Sequence, residues 1–135
     1  MPIRASGTFE VEIKPQPGYV TDASAAVGRM SIDKQFHGDL EGTSKGEMLA
    51  VGTAIEGSAG YVAMEQVSGM LHGRIGTFAL QHTATMSRGT PQLSITVVPD
   101  SGTGQLVGLS GQMAIQIVDG NHSYDFEYTL AEMSN

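Results

Sequence analysis

The sequence predicts an all-β protein: a closed, eight-stranded, antiparallel up-and-down barrel. Three observations carry this. Apolar residues recur with a period of two rather than at helical spacing. Turn residues punctuate the chain at hairpin intervals, with 18 glycines and 5 prolines among 135 residues. Tight turns, taken as two-residue loops, set apolar residues opposite apolar residues on one face.

Thr8-Phe9-Glu10-Val11-Glu12-Ile13 alternates polar and apolar, and so does Ser123-Tyr124-Asp125-Phe126-Glu127-Tyr128-Thr129-Leu130. Between them lie six further strand candidates, near 28–37, 42–54, 60–70, 74–86, 92–98 and 111–118. No helix is expected. A His72-Gly73 loop pairs Val67 with Phe78, Glu65 with Leu80 and Ala63 with His82. A Glu56-Gly57 loop pairs Met48 with Glu65 and Ala50 with Ala63. A Gly120-Asn121 loop pairs Ile115 with Phe126 and Met113 with Tyr128. Left open, such a meander exposes two edges, and closure removes them. Glycines 42, 46, 52, 69 and 76 fall mostly on the inward face, where they let strands coil tightly.

Length and composition bound the rest. The chain, 1–135, is one domain of ordinary size. It has no cysteine, which excludes disulfides, thiolate metal sites and cysteine nucleophiles. Seven basic against fourteen acidic residues give a net charge of −7, which argues against nucleic acid and against an anionic membrane. No apolar run forms a signal-peptide core or reaches the roughly 18 residues of a spanning helix, so a cytoplasmic protein is expected.

Residues 99–111 are not a simple hairpin. Gly102-Thr103-Gly104 begins like a dinucleotide fingerprint, but no helix follows to hold a phosphate. The simpler reading is a long loop whose Leu106 and Leu109 plug one end of the barrel. The pattern Gly-Thr-Gly-x-Leu-x-Gly-x-x-Gly at 102–111 resembles a segment of allene oxide cyclases and dirigent proteins, which are eight-stranded barrels. A closer resemblance is to a family of small bacterial proteins of unknown function in the same barrel superfamily. It is carried by Phe36-His37-Gly38-Asp39-Leu40-Glu41-Gly42, by residues 61–69 and by residues 73–82. The resemblance implies an allene oxide cyclase-like barrel and brings no catalytic residue to this chain.

Within that barrel, Glu65 and His82 are the strongest site candidates. The register sets them diagonally on adjacent strands, roughly 7–8 Å apart at Cα. An apolar lumen raises a carboxyl pKa unless the group is paired, and a neighbouring imidazolium restores its charge. The pair could serve as general acid and base, or it could simply satisfy itself as a core polar network. Tyr61 adds a hydroxyl on the same face, and Phe78, Met48 and Tyr128 complete the expected lumen site. His37, His72 and His122 read as solvated loop residues. Glu65 and His82 supply two ligands where zinc needs three or four, so no metal and no cofactor is expected.

The function expected is binding of a small apolar ligand in the lumen. A structural, oligomeric barrel with a filled lumen is the alternative, and a cyclase- or isomerase-type enzyme using Glu65 and His82 is third. A cavity of about 300 Å³ or more would favour the first. Leu49, Val62, Met64, Ile75 and Ala79 form an apolar outer stripe, opposite a wall carrying Glu10, Glu12, Asp125 and Glu127. That two-sidedness leads to the expectation of a homo-oligomer, a dimer before a trimer.

Overall fold

The computed structural model describes residues 2–22 and 26–131. Eight strands close into one antiparallel barrel in sequence order. They are β1 (Ile3–Gln16), β2 (Gly28–Gly38), β3 (Leu40–Gly52), β4 (Ala59–Leu71), β5 (Arg74–Ser87), β6 (Thr90–Val97), β7 (Ser110–Val118) and β8 (Asn121–Thr129). A short 3-10 turn occupies Gly104–Leu106. The up-and-down barrel expected from the alternation is the fold observed.

Turn chemistry explains where the register holds and where it shifts. His72 (φ 47°) and Gly73 (φ 81°) form the expected two-residue loop, and every β4–β5 pair predicted from it is present. The β7–β8 turn is Asp119-Gly120, not Gly120-Asn121. A two-residue turn with both φ positive takes Asp first and Gly second, and the observed angles are 53° and 79°. Met113 therefore faces Phe126, and Ile115 faces Tyr124. The β3–β4 link is likewise not a two-residue loop. Residues 53–58 form a longer turn fastened by Thr53 Oγ1, which donates to the carbonyls of Ser58 and Ile55. Met48 thus pairs with Ala63, and Glu65 with Gly46. Both corrections are slips of two residues, so each side chain keeps its face.

The two ends of the barrel differ. At the base, residues 98–109 fold back on the barrel. Thr103 N–H donates to the Thr77 carbonyl, Ala79 N–H to Ser101 Oγ and Ile75 N–H to Gln105 Oε1. These bonds cover the half of β5 that β6 does not reach, because β6 pairs with β5 only over Leu80–Ser87. Leu106 and Leu109 are buried, so the glycine-rich segment is the plug expected, with no phosphate loop. Above the plug, Phe36, Phe78, Phe126 and Tyr128 are almost fully buried, with Phe78 stacked on Phe126 at 5.8 Å. Tyr124 Oη accepts from Leu40 N–H at 2.9 Å and donates to the His37 carbonyl at 3.0 Å, tying the β2–β3 turn to the core.

At the mouth the inward rows open to solvent. Ile13, Met86, Leu93 and Ile117 all face inward by register, yet all are exposed. β6 and β7 are paired only at Ile95–Met113 and Thr96–Gln112, so closure at this seam is brief. On the outer wall Leu49, Val62, Met64 and Ile75 are exposed, as the alternation expects.

Gly46 has a specific task. A Cβ there would lie 2.3 Å from the Met64 carbonyl oxygen and 2.8 Å from Glu65 Cβ, whereas one at Gly52 would meet nothing within 4 Å. Gly46→Ala is expected to cost about 2 kcal/mol by urea denaturation. Gly52→Ala is expected to stay within about 0.5 kcal/mol of wild type. Equal effects would contradict the packing described.

Candidate functional site

Four strands bring four polar side chains to the middle of the lumen. Glu65 of β4 accepts at Oε2 from Lys34 Nζ of β2 (2.9 Å) and from His82 Nε2 of β5 (2.5 Å). Its Oε1 accepts from Ser44 Oγ of β3 at 2.6 Å. The side chains of Glu65, Lys34 and His82 are 0%, 6% and 5% exposed. The Lys34 ammonium also sits over the rings of Phe9 (5.0 Å) and Phe36 (5.7 Å), a favourable place for a cation.

Burial alone would raise the Glu65 pKa. The hydrogen bond from His82, the charge of Lys34 and the bonds from Ser44 and Lys34 outweigh it and lower the pKa from 4.5 to about 2. Glu65 is therefore a carboxylate at neutral pH, and His82 Nε2 carries the proton it shares with Oε2. Lys34 and Glu65 cancel in charge. The other imidazole nitrogen, Nδ1, has no protein partner among the described residues.

Above this cluster the mouth holds a cup with a volume of about 480 Å³. The register arranges it in layers. Gly52, Ala59, Met86 and Pro91 form the rim, and Ala50, Tyr61, Ala84 and Leu93 form the wall beneath. The next inward layer is Met48, Ala63, His82 and Ile95, with Glu65 one step deeper. Small residues at 50, 52, 59 and 84 create the space that phenylalanines and leucines fill in the base. Two inward steps separate rim from floor, about 13 Å along the strands. Tyr61 lines the wall, and its hydroxyl pKa is raised by burial and by the Glu65 charge, so it is a neutral phenol.

Of the residues expected from sequence, Tyr61 lines the cup, Glu65 and His82 meet each other beneath it, and Met48 shares the His82 layer without lining it. Phe78 and Tyr128 do not. Phe78 is core, and Tyr128 Oη bonds His72 Nδ1 (2.5 Å) in the base. His72 is the exposed turn residue expected, with its ring also tied to Tyr128. His122 lies within β8 against the Phe9 ring at 5.1 Å. His37 is bonded to Glu10 at 2.8 Å, with its ring open to solvent. No group of three or more metal-ligating side chains occurs among the described residues. No helix there is long and apolar enough to cross a membrane. Lys34 and Ser44 were not anticipated. Their signal is parity: Lys34 falls between inward Ile32 and Phe36, and Ser44 between inward Gly42 and Gly46.

The family model for "Protein of unknown function (DUF3224)" matches residues 5–128. The chain belongs to the DUF3224 family. It is similar to a crystal structure of a DUF3224 protein of unknown function from Shewanella oneidensis MR-1, at 46% identity and a TM-score of 0.92. That match covers 96% of this chain and 98% of the other. No curated protein matches. The DUF3224 barrel is thus a shared architecture, while the allene oxide cyclase likeness rests on residues 102–111 alone.

Glu65→Gln leaves the Lys34 ammonium buried without its counter-charge, which costs about 3 kcal/mol when one partner of such a pair is removed. That loss is expected in urea denaturation at pH 7. Acid should erase the difference from wild type. Because the folded pKa lies below the unfolded one, the stabilisation is complete above about pH 4.5 and is lost as pH falls toward 2. A shift of this size corresponds to about 3 kcal/mol. A wild-type advantage that stays constant from pH 6 to pH 2 would show that Glu65 is not the linked group.

Proposed function

We propose that this DUF3224 protein is a receptor for a small apolar molecule seated in the mouth of the barrel. The observation that carries this reading is the cup. Ligand sites of this kind have volumes of roughly 300–1,000 Å³, apolar walls and a few placed polar groups. The cup has about 480 Å³, with Ala50, Ala84, Met86 and Leu93 as apolar lining and Tyr61, Thr53, Ser58 and Glu56 among its polar residues. The empty half is built into the strands, since the same inward rows that carry Phe78 and Leu80 in the base carry Ala84 and Ala50 at the mouth.

A second reading, a cyclase- or isomerase-type enzyme, is favoured by the His82–Glu65 pair. A carboxylate that fixes the tautomer of an imidazole and leaves its other nitrogen free is an arrangement suited to a general base. That reading agrees with the allene oxide cyclase-like resemblance at 102–111 and requires turnover that Glu65→Gln abolishes.

The receptor reading is tested with the neutral fluorophore N-phenyl-1-naphthylamine. Wild-type protein is expected to enhance its fluorescence saturably. Ala84→Phe fills the cup and is expected to weaken binding by at least about tenfold at an unchanged melting temperature. Equal binding by a folded Ala84→Phe variant would place the dye elsewhere and remove the reading.

A further inference from the structure

The strands share the outward charge unequally, and this pattern is independent of the cup. β1, β2, β3 and β8 each point charged side chains to solvent, as Glu12, Asp33, Lys45 and Asp125 show. The outer faces of β4, β5, β6 and β7 carry none. The charged residues of those four strands are Glu65, buried in the lumen, and Arg74, which opens β5 at the His72-Gly73 turn. Methionine, valine, glutamine and threonine stand outward instead. Val62 faces Thr83 across the β4–β5 ladder, and Met64 faces Gln81. Val62 and Met64 are each 51% exposed, and Ile75 is 64% exposed. β4 and β5 have 13 and 14 residues, so this wall is about 40 Å long. With its flanking strands it is about 15 Å wide. A stable interface takes roughly 800 Å² from each partner, about a tenth of the 8225 Å² surface of this barrel, and the wall is large enough to supply it.

We propose that the uncharged outer wall of β4 and β5 is where a second copy of this chain docks, giving a symmetric dimer. Interface cores are marked by depletion of charge and by methionine more than by bulk hydrophobicity, and this wall has both marks. Its chemistry selects a second copy as the occupant. A two-fold axis sets a patch against itself, so a wall of one charge meets its own like charge. β1 and β8 would bring Glu10, Glu12, Asp125 and Glu127 against the same four carboxylates, which repel. On the β4–β5 wall glutamine and threonine meet glutamine and threonine, groups that both donate and accept hydrogen bonds. Methionine meets methionine, and its flexible side chain adapts to a convex surface. A strongly charged partner would find no counter-charge there. Each chain carries a net charge of −7, and docking by this wall holds the two acidic walls on opposite sides of the dimer. Glu56, Arg74 and Arg88 lie at the turns beyond the strand ends, where they form a charged rim. The cup at the mouth stays open, because the contact is on the side of the barrel.

Sedimentation equilibrium of the full chain at micromolar concentration tests this. Wild-type protein is expected to have the mass of a dimer. Met64 lies opposite Glu47 in the β3–β4 register, so Met64→Lys gives the new ammonium a counter-charge within its own barrel. That variant is expected to keep its melting temperature and to associate at least about a hundredfold more weakly, because the dimer sets the new charge against its own copy. Gln81→Lys, one strand away, is expected to do the same and carries the test if Met64→Lys does not fold. Glu12→Lys on the far wall is expected to leave the dimer intact. Added salt is expected not to weaken association, since it screens the repulsion between two acidic chains and there are no interfacial ion pairs for it to screen. A wild-type monomer, or a trimer, would overturn the proposal. So would a dimer that persists in folded Met64→Lys and Gln81→Lys, or one that salt or Glu12→Lys breaks apart. None of these outcomes bears on ligand binding in the cup.

Discussion

One buried carboxylate organises the lumen. Glu65 carries a full charge in the middle of a barrel whose other interior residues are mostly apolar, and an unpaired charge there would be prohibitively costly. Three donors from three other strands meet it: Lys34 from β2, Ser44 from β3 and His82 from β5. Each is correctly placed only if its strand has the right register. A slip of one residue would turn it outward and leave Glu65 bare. The cluster therefore selects among pairings more than it adds to stability, since buried ion pairs often do no better than well-packed apolar residues. Gly46 belongs to the same constraint, because only a residue without Cβ lets β3 pass so close to the Glu65 backbone.

Around this cluster the barrel divides its labour. The base is packed like any core, with stacked aromatic rings, the Leu106 and Leu109 plug and the Tyr124 hydroxyl bonds. The mouth keeps the strand geometry but replaces bulk with alanine and glycine and leaves inward apolar side chains wet. A protein under selection only to fold would gain by filling that space, at roughly 25 cal/mol for each Å² of apolar surface removed from water. The polar cluster lies between the halves, with His82 held against Glu65.

Much of this was legible in the sequence, for identifiable reasons. Period-two alternation at Phe9-Val11-Ile13 and Tyr124-Phe126-Tyr128 is a direct record of a two-faced strand. His72-Gly73 gives the β4–β5 register outright, and with it the meeting of Glu65 and His82. Register was less legible where the turn was not a simple pair. Residues 53–58 hide a six-residue link behind a Glu-Gly that looks like a hairpin loop. Asp119-Gly120 and Gly120-Asn121 are both turn-like until the positive φ of Asp119 decides between them. Lys34 was hidden by its own chemistry, since a lysine reads as an outward residue unless parity is trusted over residue type. The cup was least legible. An alanine on an inward row signals a strand core and empty space equally well, and only the surrounding rows tell which.

The central claim is that the mouth of this DUF3224 barrel exists to hold a small apolar molecule. Native mass spectrometry of the protein purified from its own host tests it most directly. The account predicts a population heavier than the polypeptide by one small molecule, released on gentle activation and missing from Ala84→Phe prepared alongside. A bare polypeptide mass throughout, identical in wild type and Ala84→Phe, would contradict it.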